Sequence, residues 1–316
     1  MKEITISKND ANQRLDRYLS KTFDRLPRSL MYKEIRRKNI KINKKRCTPE
    51  QMLAEGDVLS LYLPDDVLTE KKKHYDFLSA SKEIKIVYED ENILIADKKP
   101  GLLCHPDGHE YVDTLIARVK RYLYEKGEWS PEESSFSPAP ANRIDRNTGG
   151  LVIIAKNADA LRELTAMIKQ RETDKYYLAV TDGIPSQKEA TLTGYLTKDE
   201  KRNMVKVRKK PCDGAKKIIT HYRVIKTFSK KALVEVQLLT GRTHQIRAHM
   251  ASIGCPLCGD GKYGKSHGRF RQALFSYKLT FHVDDGMKLS YLDEKTFTAD
   301  TEEFIKQFTG DDNSER

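Results

Sequence analysis

Asn142-Arg143-Ile144-Asp145-Arg146-Asn147-Thr148-Gly149-Gly150 runs straight into Leu151-Val152-Ile153-Ile154-Ala155. The five apolar residues read as a buried strand. Ahead of them an acid stands between two arginines, which favour its carboxylate form. Thr148 can bond a local backbone group, and two glycines permit another backbone to come close. An ionised carboxylate held at the head of a strand is a candidate nucleophile or base. The same spacing suits equally well an aspartate that only caps its own turn.

Outward from this strand, the pattern is one of short strands broken by turns and helices. Ile86–Tyr88 and Ile93–Ala96 read as strands joined by the turn Glu89-Asp90-Glu91-Asn92, and Pro100-Gly101 ends the pair. Residues 112–124 read as a helix with Leu115, Val119 and Leu123 on one face. Ala158–Gln170 read as another, with Leu161, Leu164 and Ile168 on one side. Strands follow at Tyr176–Val180, 218–226 and 232–239, then a turn from Gly241 that continues as a helix to Ile253. The helices do not alternate regularly with the strands. The fold class expected is α+β, with a mostly antiparallel mixed sheet flanked by helices and loops over residues 83–316.

Residues 1–64 read as a separate small α/β unit. Asp10 is placed to N-cap a helix carrying Leu15 and Leu19, and Pro27-Arg28-Ser29 starts a second with Met31 and Ile35 inward. Ile40-Lys41-Ile42, the turn Asn43-Lys44, the turn Gly56-Asp57 and the strand from Val58 complete it. The charged stretch 65–82 reads as a linker.

Charge narrows the partner. The 316 residues carry a net charge of +12, which points to an anionic partner, most simply nucleic acid. Eleven Lys/Arg against two acids lie between Lys21 and Arg46, and nine against three between Lys198 and Lys217. No apolar run approaches the ~18 residues of a membrane span, and the start, MKEITISKND, has no apolar leader segment. Five cysteines make no disulfide framework; a reduced, cytoplasmic protein is expected. There is no phosphate-binding glycine loop, GxGxxG or HExxH. Cys255 and Cys258, with His249 and His267 nearby, read as inert thiols rather than a zinc site, and no cofactor is expected.

Two resemblances sharpen this reading. Residues 1–64 resemble an S4 RNA-binding domain, through Arg14-Leu15-Asp16-Arg17-Tyr18-Leu19, the helix with Ser29 and Ile35, Ile40-Lys41-Ile42-Asn43-Lys44 and Glu55-Gly56-Asp57-Val58-Leu59. The stretch around Asp145 resembles the motif of the RluA family of pseudouridine synthases, commonly written HRLDxxTSG. Three further blocks of that family follow the expected order: Asp90–Gly101; Lys175-Tyr176-Tyr177-Leu178-Ala179-Val180; and Thr240–Met250 with its GRxHQxRxH pattern, followed by Gly259-Asp260 and Tyr263-Gly264. Asn142 stands where the pattern often has His, and Gly149 where it often has Ser. Both bear on the turn or on RNA contacts, not on the reaction.

The resemblance implies an RNA pseudouridine synthase that isomerises uridines by base flipping, without a cofactor. Asp145 would be the catalytic aspartate, Arg247 the arginine that pairs with it, and Tyr177 the tyrosine that stacks on the flipped base. Arg143 would help open the RNA helix. Arg146, Arg242 and His244 from the same blocks join the expected RNA contacts, as do Arg36, Arg37, Lys38, Lys41 and Lys44 on the N-terminal ridge. The implied partner is RNA, most simply large-subunit ribosomal RNA, bound by a monomer with no membrane association. One rival is a non-catalytic RNA-binding ribosome-assembly protein with the same fold. Another is a glycosidase-like hydrolase, which would want two carboxylates where only Asp145 stands out.

Overall fold

The computed structural model describes every residue except 71–74, 109, 133–134, 200–203, 265–271 and 310–316. The smaller of its two sheets holds β1 (Lys2–Thr5), β2 (Ile40–Ile42), β3 (Lys45–Arg46) and β4 (Val58–Leu61) in the order β1-β4-β2-β3, all antiparallel. Against it pack α1 (Leu15–Thr22) and α2 (Arg28–Arg36), so that Leu15, Leu19, Met31 and Ile35 share an apolar core with Ile40, Leu59 and Leu61. Asn43 and Lys44 both take positive φ, as a two-residue turn between twisted strands demands.

Two details of this unit differ from the sequence reading. Asp10 does not cap α1. The helix starts after Arg14, whose side chain makes no capping bond. The chain first turns at Ser7–Ala11, and the buried Asp10 carboxylate accepts from Ser7 Oγ and from the backbone amide of Ser135, each at 2.9 Å. β1 has no counterpart in the sequence reading; it is a four-residue edge strand with alternate residues exposed, so its hydrophobic signal is weak. Of the stretch read as a linker, Leu68 is buried in the small core and Phe77, in a 3₁₀ turn at Asp76–Ser79, in the large one. Residues 71–74 of that stretch lie outside the described residues.

The larger sheet is built from β5 (Lys85–Glu89), β6 (Ile93–Lys98), β7 (Ala139–Pro140), β8 (Gly149–Ala155), β9 (Thr173–Asp182), β10 (Glu189–Asp199), β11 (Met204–Arg208), β12 (Lys216–Phe228), β13 (Lys231–Leu238), β14 (Leu274–Phe281) and β15 (Thr296–Thr298). Nine strands run in the order β11-β10-β12-β13-β9-β14-β8-β6-β5; β7 pairs with β8 and β15 with β14. Every pairing is antiparallel except β8 with β14. The helices are α3 (Leu115–Glu125), α4 (Ala158–Gln170), α5 (Gln245–Ser252) and α6 (Glu302–Thr309). The fold is α+β with a mostly antiparallel mixed sheet, as the sequence implies.

β8 shows why its run is apolar throughout. Val152 and Ile154 enter one core with α3 and α5, while Leu151, Ile153 and Ala155 enter another with α4 and α6. Successive side chains of a strand face opposite ways, so a strand with a core on each side has no polar face. On α4 the buried stripe is Ala160, Leu164 and Met167, one step round from the expected Leu161, Leu164 and Ile168. Both stripes have helical spacing, and Ile168 instead reaches the cleft that Asp145 lines. β10 and β11 escape a reading of the sequence because half of each is solvated. No helix among the described residues is long and apolar enough to cross a membrane.

Candidate active site

Asp145 owes its position to the way β8 begins. Gly149 and Gly150 pair in parallel with Phe275 and Ser276 of β14. Gly150 has φ +105°, and a Cβ there would lie 2.0 Å from the Ser276 carbonyl oxygen; only glycine lets the two backbones come so near. A Cβ on Gly149 would meet the Phe275 ring at 2.9 Å and Pro100 at 3.0 Å. Upstream, the Thr148 amide donates to the Asp145 carbonyl at 3.1 Å, and Gln272 Nε2 donates to Thr148 Oγ1 at 2.9 Å. Asn142 Oδ1 takes the Ile153 amide at 2.8 Å. From the other side, the buried Lys98 ammonium donates to the carbonyls of Lys99, Leu102 and Arg146 at 3.1, 2.7 and 3.0 Å. Arg146 itself hooks over Gly101, its Nε donating to that carbonyl at 3.1 Å.

The opposite wall comes from α5. Gln245 locks the start of this helix: its Oε1 accepts from Thr240 Oγ1 and the Arg242 amide, and its Nε2 donates to Ile219 O and Thr220 Oγ1. Arg247, two residues on, is 5 % exposed. Its Nη1 donates to Asp145 Oδ2 at 2.9 Å, while Nε and Nη2 donate to the two oxygens of Asp260 at 2.8 Å each. Asp260 is fully buried and also accepts the Lys262 and Tyr263 amides. The guanidinium lies over the Tyr263 ring, 5.2 Å from its centroid.

Charge and burial set the protonation of this group. Burial alone would raise the Asp260 carboxyl, but the Arg247 hydrogen bonds and charge outweigh it and leave it below the ordinary carboxylate value. Burial works against the Arg247 cation too, and the same pairing with Asp260 and Asp145 overrides it upward. Burial pushes the Tyr177 phenol up to about 12, so it is neutral at physiological pH. It lowers the Lys175 ammonium and the His244 imidazole. Asp145 is the solvent-facing member of the line, its side chain 28 % exposed.

Asp145, Arg247, Tyr177, Arg143, Arg242 and His244 all line one cleft of about 570 Å³. Lys175, two residues before Tyr177 and so on the same face of β9, lines it as well, and so does Lys198, the first residue of the second basic cluster. The cluster's Lys201 and Arg202 lie outside the described residues, as does His267. Arg146 is exposed at the turn instead of lining the cleft. Arg36, Arg37, Lys38 and Lys44 are exposed on the smaller unit, and Lys41 lies over the Tyr62 ring. Sequence reasoning gives no role to Asp260 or Tyr263, although both follow closely on the GRxHQxRxH pattern. Among the described lining residues Asp145 is the one acid, which disfavours a two-carboxylate hydrolase.

A family model described as RNA pseudouridylate synthase matches residues 92–252, which hold both Asp145 and Arg247. The chain belongs to the RNA pseudouridylate synthase family. Two relatives in the family match most of its length. Ribosomal large subunit pseudouridine synthase D of Borreliella burgdorferi is 30% identical, covering 96% of this chain and 93% of its own. Ribosomal large subunit pseudouridine synthase C of Vibrio vulnificus is 30% identical, over 88% and 87%. The fold is shared with the solved structure of human RNA Pseudouridylate Synthase Domain Containing 4, at a TM-score of 0.54 and 19% identity, over 68% of this chain and 88% of that one. The chain is thus an isomerase of the pseudouridine synthase family.

Proposed function

We propose that Asp145 is the catalytic carboxylate of this isomerase and that the substrate is structured RNA, specifically large-subunit ribosomal RNA. The observation that carries the reading is the buried Arg247 holding one oxygen of Asp145 at 2.9 Å while the carboxylate faces the cleft. The charge-assisted pairing holds it in place and aims it at the cleft. Its other oxygen acts on the ribose, at C1′ or on the C2′ proton. The N1–C1′ bond breaks, the uracil turns, C5 bonds to C1′, and C5 loses its proton as N1 gains one; the product is an isomer of the substrate. Tyr177 offers the flipped uracil a face to stack on. Taking a paired base out of the helix costs a few kcal/mol, which phosphate contacts at the cationic rim offset.

Arg143 and Arg242 at the cleft serve as RNA contacts in this reading, as does Arg146 beside it. Residues 1–64 act as an S4-like RNA-binding domain through Arg36, Arg37, Lys38, Lys41 and Lys44, joined by 65–82 to a catalytic domain over 83–316. Two relatives named for the ribosomal large subunit support that substrate. The enzyme works in the cytoplasm as a monomer. The test is release of tritium from C5-labelled uridine in ribosomal RNA taken from cells lacking the protein. Wild type should release it and Asp145→Asn should not, with RNA binding retained. Turnover by Asp145→Asn would end the catalytic assignment; retained binding with no release from either protein would favour the assembly-factor rival.

A further inference from the structure

Resting on the reading of Asp145 as the catalytic carboxylate, we infer that His244 is a positioning residue for it and that Tyr263 fixes the ring tautomer this requires. The Val205 amide donates to Tyr263 Oη at 2.9 Å, and Tyr263 Oη lies 3.0 Å from His244 Nδ1. Of these two neighbours only Nδ1 can accept, so in the inferred arrangement the phenol proton goes to Nδ1. A neutral imidazole accepting at Nδ1 carries its proton on Nε2. That nitrogen lies 3.7 Å from Asp145 Oδ2, the oxygen already held by Arg247. The opposite tautomer would turn the Nε2 lone pair towards a carboxylate, which is repulsive.

At 3.7 Å the Nε2–H is too far for a hydrogen bond in the free enzyme. Catalytic hydrogen bonds are often long before substrate fills the site and tighten afterwards. With RNA bound, Nε2–H closes on Asp145 and, with Arg247, leaves the carboxylate one orientation towards the sugar. The choice of tautomer belongs to the neutral ring, the form that burial favours; a proton on Nδ1 would instead donate to Tyr263 Oη and leave the phenol no part in fixing the tautomer. Asp145 and Asp260 face the ring and favour its charged form. Arg247 and Lys262 face it and oppose that form, and burial, the largest influence, also opposes it. The left-handed backbone of His244, φ +53°, is the local strain that brings the ring over the aspartate.

Long-range ¹H–¹⁵N correlation on the full-length protein tests the tautomer directly, with the His244 signal assigned by its loss in His244→Gln. The Nε2–H pattern is expected in wild type at pH 7, and a mixture of tautomers in Tyr263→Phe. An Nδ1–H or doubly protonated ring in wild type would overturn the proposal, whatever the activity of Asp145 variants. Single-turnover rates read the consequence. His244→Ala should lower kcat about ten- to hundredfold, the usual worth of a hydrogen bond to a charged group, with KM for RNA little changed. His244→Gln, whose amide nitrogen can occupy the Nε2 position, should recover most of that rate. A rise in KM alone would make His244 an RNA contact instead.

Discussion

Asp260 is the residue on which the site's electrostatics turn, because it neutralises a buried guanidinium whose other arm must hold a partly exposed carboxylate. Replacing it by Asn strips one partner from a buried ion pair, a change that costs about 3–5 kcal/mol; urea unfolding should show a destabilisation of that size in Asp260→Asn. The pair also has a pH signature. The Asp260 carboxyl is depressed by Arg247 below its ordinary value of 3.8. Its contribution to stability is therefore complete above that value and disappears as pH falls through the lower folded one. Acid unfolding of wild type should steepen there, and Asp260→Asn should lack that component. Asp145 and Arg247 are legible in the sequence because an acid between arginines and a GRxHQxRxH block are unusual. The role of Asp260 is not: Gly259-Asp260 stands within the family's pattern, but only the fold shows the carboxylate fully buried against Arg247.

At the scale of elements, the parallel pairing of β8 with β14 is the joint that sets the Asp145 turn. Gly150→Ala would place a methyl 2.0 Å from a carbonyl oxygen at positive φ, where the neighbour is backbone and cannot swing away. Strain and displacement together should cost more than about 3 kcal/mol, and circular dichroism melts should show it. Gly149→Ala should cost less, because its neighbour at 2.9 Å is the edge of a side-chain ring. β8 can be read from its five apolar residues because burial on both faces leaves no polar interruption. β10, β11 and the edge strand β1 cannot, since solvated strands carry only half the signal. The α4 stripe is displaced by one step from its expected position because Leu161, Leu164 and Ile168 satisfy the same periodicity as the residues that are buried.

For the whole molecule, the exposed bases of the N-terminal unit and the cationic cleft belong to units built on different sheets, tied by Asp10 to Ser135 and by Asn9 to Ala158. If the smaller unit grips phosphates, replacing Arg36, Arg37, Lys38 and Lys44 together by Gln should reduce the salt slope of RNA binding by about 0.7–0.9 for each phosphate that is no longer neutralised. The rate at saturating RNA should stay at the wild-type value, because none of the four lines the cleft. Filter binding across a salt series measures the first, and single-turnover assay the second. The net charge of +12 foretells the anionic partner but not this division of labour, since a sum of charges carries no geometry. The bond from Arg247 to Asp145 also bears on how the protein comes into being. It joins residues 102 positions apart, and the carboxylate that completes the group, Asp260, comes later still. Pairings of such long range form slowly, after local helices and hairpins. If Asp145 is the catalytic carboxylate as proposed, a ribosome-bound chain should gain activity only after Asp260 has emerged, and on refolding the recovery of catalysis should trail the recovery of secondary structure.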